Sequence, residues 1–593
     1  MKPTDIKNPE YFHKVVDCQY ACPAHTPVPE YIRLIAEGRY DDAYMINWES
    51  NVFPGVLGRV CDRPCEPACR RGRVDEEPVA ICRLKRVAAD NKTDITDRLP
   101  KIAPPNGKKV ACIGAGPASL TVARDLAPLG YKIDIFDEQT IGGGFMRSQI
   151  PAFRLPAEVL DEEIAMIIDM GVAAHYNHYV DSLKDLLAKD YDAIFVGTGA
   201  PNGRDLPKVL GRQEGDASIH LGINWLDSVA FGHTESVDSK VIVLGGGNTA
   251  MDCCRTSRRL GGKDVKVVVR SPQKDMKASE WEIEDAIRED IPIYENHVPA
   301  EFVVENGKLT GMKFEKVTAE YDENGKRSLV PTGEDLVFME ADEVIIAIGQ
   351  DNAFPWIERD IGMEFGDWDM PVVDKVTFQS SIKKVFFGGD AAFGPENIIT
   401  AVAHGHQAAV SIDKFCHDAD VTERLAPMTN LVSQKMGFHE WTYDAHIDHT
   451  DRRLVPHVDK ETAINNLKLE VEKGFDTDLG YEEAMRCLNC DVQTVFSESL
   501  CIECDACVDV CPTECINFIE PEEEEADLRQ KLLVAATNWE QDIYVSDTLK
   551  TKRVMVKDEN VCLHCGLCAE RCPTSAWDMQ KYLYNVSKAG KVA

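Results

Sequence analysis

The chain runs to 593 residues, 44% apolar and 28% charged, with 100 acidic against 65 basic side chains for a formal charge of −35. Such a length holds three or four domains with buried cores, and the acidic balance argues against nucleic acid or an anionic membrane surface as partner while leaving a basic ferredoxin open. Twenty-one cysteines, no secretory start and no stretch of about twenty apolar residues point to metal clusters in a cytoplasmic, reducing setting, not to disulfides or a membrane span.

In chain order, Cys18, Cys22, Cys61, Cys65, Cys69 and Cys82 come first, among helical patterns such as PEYIRLIAEGRYDDAYMI. A polar, Pro-containing linker follows from Asp94 to Lys108. The apolar strand VACI then runs into GAGPASL. Gly114 permits a tight turn, Gly116 lets the backbone approach a pyrophosphate, and Pro117, Ala118 and Ser119 open a helix whose amide end attracts it. The next strand, KIDIF, ends in Asp137 and Glu138 about twenty residues on, where a carboxylate takes the ribose hydroxyls of an adenine dinucleotide.

The pattern repeats at VIVLGGGNTAMD, with Gly245, Gly247, Asn248, Thr249 and Ala250 between a strand and a helix. The following strand, VKVVV, leads to Arg270 and Ser271 with Lys274 nearby and no acid. A cation there pairs with a 2′-phosphate that an acid would repel, which tilts the reading toward NADP over NAD; the plainer alternative makes Arg270 a solvated strand-end residue. Residues 417 to 485 form a charged, polar connector, and EEAMRCLNCD after it holds Cys487 and Cys490. His404 and His406 read as packing residues, and the acidic run EPEEEEAD as a solvated helix start.

Two cysteine runs close the chain: Cys501, Cys504, Cys507, Cys511 and Cys562, Cys565, Cys568, Cys572, each ending in C-P. This is the spacing of bacterial two-cluster ferredoxins, in which three close thiolates hold one 4Fe-4S cube and the fourth reaches across to the other. Zinc sites, built from two C-x-x-C pairs around one ion, fit poorly. This end passes single electrons.

Two tandem nucleotide folds, the second inserted in the first, are the architecture of flavin disulfide reductases and their relatives. KKVFFGGDAAFGPENIITAVAHGHQAA resembles that family's motif in which Gly389 and Asp390 meet the flavin ribityl chain and a helix entered at Ile398 faces the ring. IGGGFMRSQIPAFRLP and MDCCRTSRRLGG are similar to the glutamate synthase small subunit and the amino-terminal region of dihydropyrimidine dehydrogenase. The resemblance spans residues 10 to 416, implies FAD and NAD(P)H as cofactors, and adds Gly143, Arg154, Thr198, Gly199 and Gly349 to the cofactor-binding set. No C-x-x-x-x-C follows the FAD fingerprint, so a redox disulfide is not expected.

In the similar family a helical domain binds two 4Fe-4S clusters through a C-x-x-C pair, then C-x-x-x-C-P, then G-R-V-C-x-x-P-C-x-x-x-C. Cys18 and Cys22 match the second element, and GRVCDRPCEPAC supplies Cys61, Cys65 and Cys69. This chain departs twice. No C-x-x-C precedes Cys18; the resemblance implies that Cys487 and Cys490 are that pair, completing a cluster with Cys18 and Cys69 across space. The polar ligand expected after EPVAI is replaced by Lys85, which cannot serve iron; Cys82, on the same helix face, is either its substitute or a buried thiol beside a labile or absent cluster. Cys112, Cys253, Cys254, Cys416 and Cys515 are left as structural thiols.

The expected architecture is multidomain α/β: a helical iron-sulfur domain at 1–100, tandem Rossmann-like domains for FAD at 107–235 and 351–416 and for NAD(P) at 236–350, a connector at 417–495, and an α+β bacterial ferredoxin-like domain at 496–593. The expected function is an NAD(P)H-dependent oxidoreductase acting as an electron-transfer subunit of a hetero-oligomeric complex. Hydride enters on FAD, and single electrons run through four 4Fe-4S clusters to or from a ferredoxin or partner oxidoreductase. A flavin-based bifurcating subunit, a self-contained reductase of a small organic substrate and a non-turnover cluster carrier are the alternatives.

Overall fold

The computed structural model describes residues 2–5, 16–323, 327–424, 428–433, 449–520, 522, 543–559 and 561–590. Its contacts divide the chain into two compact units: Met1–Leu99 with Glu423–Val455 and Gly474–Ala593, and Pro100–Thr422 with Pro456–Lys473. Most of EPEEEEAD lies outside the described residues.

The first unit carries the cysteine runs. Helices Val28–Ala36 and Pro54–Val60 both open on a proline in the first turn, where a missing N–H costs nothing. They pack with Tyr40–Asn51 and Ile81–Asn91 around Tyr31, Tyr44, Trp48, Phe53, Leu57 and Leu84, all fully buried. The carboxy-terminal segment folds back onto these helices. Its helix Thr477–Ala484 is capped by Asp476, and the buried Glu483 carboxylate in its last turn accepts from Ala80 N at 2.8 Å, Arg453 N at 2.8 Å and Arg486 at 2.8 Å. Asp491 accepts two hydrogen bonds from Arg33, at 2.7 and 2.6 Å. A buried carboxylate with several charge-assisted partners fixes register between distant segments, because leaving it unpaired is expensive.

Beyond it, Val492–Phe496 and Met428–Ser433 pair antiparallel with Trp577–Asn585, and Ile516–Ile519 and Ile543–Val545 with Val554–Asp558. Phe496, Ile516, Met555 and Trp577 form the core between them, together with several of the cysteines.

The second unit holds two parallel five-stranded sheets. In the first the order is Val385–Phe387, Ala193–Val196, Lys109–Ile113, Lys132–Phe136, Ala173–His175. The second runs Ile219–Leu221, Glu343–Ile346, Lys240–Leu244, Asp264–Val268, Ile293–Tyr294. Covered on both faces, such strands read as unbroken apolar runs, and VACI and VIVL do. The chain leaves the first sheet after Val196, builds the second, and returns at Val385.

Three features depart from the expected layout. Ile219–Leu221 and the helix Gly222–Ala230 join the second sheet although they precede residue 236; a three-residue strand carries too little pattern to mark a boundary. An antiparallel group, His297–Glu305, Lys308–Tyr321, Arg327–Pro331 and Val337–Glu340, stands within the 236–350 span. Residues 456–473, expected as connector, pack here through Ala463 and Val471 against Phe153. Among the described residues no helix is long and apolar enough to cross a membrane.

Candidate functional site

The first cradle forms where Lys109–Ile113 gives way to the helix Pro117–Leu126. Gly114 has φ +88°, and a Cβ there would stand 2.6 Å from Gly197 O, so strand, turn and neighbouring loop close only around glycine. Gly116 caps the helix in extended conformation, Pro117 fills its first position, and the Gly143 amide donates to Ala115 O at 2.9 Å. Asp137 turns its carboxylate into this loop, accepting from Ala115 N at 2.5 Å and Gln139 N at 2.8 Å, while Glu138 is exposed beside it. Burial raises the Asp137 carboxyl, and the two amides offset only part of that rise.

The returning strand leads to Gly389, whose φ is +60°, and Asp390, whose main-chain carbonyl accepts from Asn352 at 2.7 Å. Burial lifts the Asp390 carboxyl to about 6. Asn397 caps the helix Ile398–Cys416, which lies along Pro117–Leu126. Thr198 Oγ1 and Asn352 Oδ1 are buried without a hydrogen-bond partner among the described residues. Orphaned polar atoms beside a cradle that admits no Cβ fit a polar ligand such as a dinucleotide. His406 pairs with Asp125 at 2.6 Å and His404 packs against Phe378 and Phe393, as their packing reading expects. Gly199, at φ +68°, faces open space.

The second cradle repeats the first. Gly245 has φ +137°, and a Cβ would fall 2.1 Å from Ala347 O. Gly247 caps the helix Asn248–Arg259, which carries Thr249 and Ala250 in its first turn, and Asn248 accepts from Ser279 N at 2.9 Å. Arg270 is exposed. Arg327, from the antiparallel group, donates to Ser271 Oγ at 2.9 Å and to Arg270 O at 3.2 Å, bringing another cation to this strand end. It lies nearly sixty positions from Arg270, beyond the reach of a local pattern. Gly349, at φ +119°, accepts through its carbonyl from Arg204 N at 3.0 Å. Arg154, expected on a cofactor, gives its guanidinium instead to Asp252 at 2.6 and 2.7 Å and Glu282 at 2.5 Å, within a buried network that runs through Arg255, Arg259 and Glu289.

In the other unit, Cys18, Cys69, Cys487 and Cys490 line one cavity with Arg70, Arg71 and Ile32. Burial raises all four thiols, Cys487 to about 12. Cys61 and Cys65 form a second set around Cys82, hydrogen-bonding to its sulfur and holding it below the ordinary thiol range. Burial works against the Lys85 ammonium, and the negative charge of Cys82, Cys61, Cys65 and Cys22 outweighs it. Cys82 thus lies against Cys61 and Cys65, with Lys85 beside the three of them.

The ferredoxin-like runs cross over. Cys501 and Cys507 feel the charge of Cys572, with Cys504 beside Cys501, whereas Cys511 joins Cys562, Cys565 and Cys568 around one cavity. Cys515, expected to be purely structural, lines that cavity too, its sulfur 3.4 Å from Cys511 Sγ. Cys112, Cys253, Cys254 and Cys416 are buried.

One backbone device recurs in all four sets. Arg63, Asn489, Glu503 and His564 have positive φ, and each turns its amide to the cysteine two residues earlier; three of these contacts measure 3.3 to 3.4 Å. An amide aimed at sulfur favours the thiolate, the form that binds metal. None of the four positions is glycine, so no sequence signal marks them.

The family model described as Pyridine nucleotide-disulphide oxidoreductase matches residues 108–405, Dihydropyrimidine dehydrogenase domain II, 4Fe-4S cluster matches 12–96, and 4Fe-4S dicluster domain matches 500–576. The NADP(+)-dependent formate dehydrogenase subunit beta of Moorella thermoacetica is 35% identical over 80% of this chain and 70% of its own. The NADPH-Fe(3+) oxidoreductase subunit beta of Geobacter sulfurreducens is 32% identical over 82% of this chain and 77% of its own. The glutamate synthase [NADPH] small chain of Escherichia coli is 34% identical over 67% of this chain and 87% of its own. The middle of the chain therefore carries FAD and NAD(P) folds, and 4Fe-4S domains stand at both ends.

Proposed function

The chain belongs to the pyridine nucleotide-disulphide oxidoreductase family, and from that membership we propose that it is an electron-transfer subunit holding one FAD and four 4Fe-4S clusters, with NADPH preferred over NADH. The observation that supports this reading is that Cys18, Cys69, Cys487 and Cys490 line one cavity and Cys511, Cys562, Cys565 and Cys568, with Cys515, line another, in a chain that also builds two dinucleotide cradles.

Bound FAD supplies the exchange between hydride and single electrons, which clusters carry. The chain's own residues do the rest. The Gly114 and Gly245 turns admit the two pyrophosphates, and the Asp390 region bears on the flavin side chain. Arg270, Ser271, Lys274 and Arg327 make a donor-rich strand end suited to a 2′-phosphate. The i+2 amides aimed at Cys61, Cys487, Cys501 and Cys562 favour the thiolate form that binds metal, against burial. Cys504 is exposed, with Leu500 and Ile502 exposed on the same loop, which favours the first ferredoxin set as the point of exchange with an outside protein. The Moorella and Geobacter relatives are named as beta subunits, which supports a hetero-oligomeric setting with a partner oxidoreductase.

Anoxic analysis of the purified chain for iron, sulfide and flavin, with viologen reduction by NADPH and NADH, tests the reading. About sixteen irons and one FAD per chain are expected. Iron near eight removes the helical-domain assignment, and failure of both nucleotides to reduce viologen leaves a non-turnover cluster carrier.

A further inference from the structure

Cys69 belongs to the cavity shared with Cys18, Cys487 and Cys490, and the residue after it, Arg70, is 1% exposed. Its Nε lies 2.5 Å from Asp17 Oδ2, and Asp17 immediately precedes Cys18. Its Nη1 leaves that site and donates to Cys562 O at 2.8 Å and to Glu559 O. Cys562 is the leading thiol of the second ferredoxin set. One buried guanidinium therefore touches the backbone of a ligand in one thiol set while adjoining two ligands of another. Arg73 stands close to Arg70, Asp17, Cys490 and Cys562, with a terminal nitrogen buried and unpartnered among the described residues.

We propose that Arg70 is a positioning residue that sets the reduction potentials of both sites together; the proposal rests on the reading that both hold clusters. A cube with four thiolates is a net anion in either oxidation state, and adding an electron makes it more so. A fixed cation nearby favours the reduced form, and burial keeps its field from being screened. Placed between two anionic sites, the same cation raises the potential of both, because its field adds to each site's energy separately and leaves their mutual repulsion unchanged. Arginine suits the post because it cannot deprotonate, and its Nη1 is held by the Cys562 and Glu559 carbonyls while Nε faces the Asp17 carboxylate. Asp17 opposes it locally.

The test is a redox titration of the full chain followed by electron paramagnetic resonance, with iron and FAD measured on every variant. The signal lost in Cys487→Ala identifies the shared site. Arg70→Gln is expected to move that signal and one ferredoxin signal to lower potential together, leaving the other two in place and iron unchanged. Arg70→Lys, which keeps the charge, is expected to restore most of both shifts. Asp17→Asn, which removes the opposing carboxylate, is expected to raise the shared site's potential, and it keeps the proposal testable if Arg70→Gln loses iron. Unmoved potentials in an iron-replete Arg70→Gln, a shift confined to one site, or a downward shift in Asp17→Asn would overturn the proposal. Wild-type iron near eight would instead remove the reading beneath it.

Discussion

The nucleotide unit and the thiol unit build their sites in opposite ways. Each cradle is a strand, a turn and a helix start within about a dozen consecutive residues, and backbone does the work: Gly114 and Gly245 matter for the side chains they lack. Each thiol set is made of side chains, and the shared one draws Cys18 and Cys69 together with Cys487 and Cys490. A site of backbone tolerates most side-chain changes and breaks where a Cβ is forced in, whereas a site of side chains breaks when one atom is lost, and breaks alone.

The sharpest separation of the two is Cys487→Ala. It should lower iron by about four per chain and leave FAD and the remaining cubes in place, since three thiolates rarely hold a full cube. Full iron content would reduce Cys487 and Cys490 to bystanders. The converse is Gly245→Val, where a Cβ meets Ala347 O at 2.1 Å in a left-handed turn. It should abolish NADPH-dependent flavin reduction with iron unchanged, the strain amounting to about 1–3 kcal/mol before the clash is added; wild-type rates would show that the turn is slack.

Asp390 gives a pH signature confined to the nucleotide unit. Its folded carboxyl titrates at about 6, above its unfolded value of about 4. Between those values the folded chain holds a proton that the unfolded chain has released, so stability falls as pH rises through this window and levels off above it. In FAD-stripped protein the urea midpoint should decline across that range by the equivalent of about 2 kcal/mol, and Asp390→Asn should flatten the decline. The smallest effect is expected at the strand end: Arg270→Ala should cost about 1–3 kcal/mol in kcat/KM for NADPH and little for NADH. A clear NADH preference in the wild type would detach Arg270 from any 2′-phosphate.

The same contrast governs what the sequence discloses. GAGPASL and VIVLGGGNTAMD announce their turns because only glycine fits there, and the two C-x-x-C-x-x-C-x-x-x-C-P runs announce a loop geometry. The shared thiol set was legible only through a gap, the pair missing before Cys18 and a matching pair standing near residue 490. Cys82 was legible as one of two alternatives, and that its sulfur meets Cys61 and Cys65 shows only in the fold. For Arg154 the motif was legible, but not the Asp252 and Glu282 carboxylates that the next domain brings to its guanidinium. Arg327, Cys515 and the left-handed amide donors left no trace, since each owes its position to tertiary packing.

A set closed by residues 18, 69, 487 and 490 also has a history in time. A ribosome adding about 5–20 residues per second exposes Cys69 roughly 20–80 s before Cys490. Both nucleotide cradles are translated in that interval, so the flavin fold can form while half of the shared set is still unmade. Cys18 and Cys69 wait as bare thiols, open to oxidation or stray metal, and filling of this site becomes a late step that only a chain extended past Cys490 can complete.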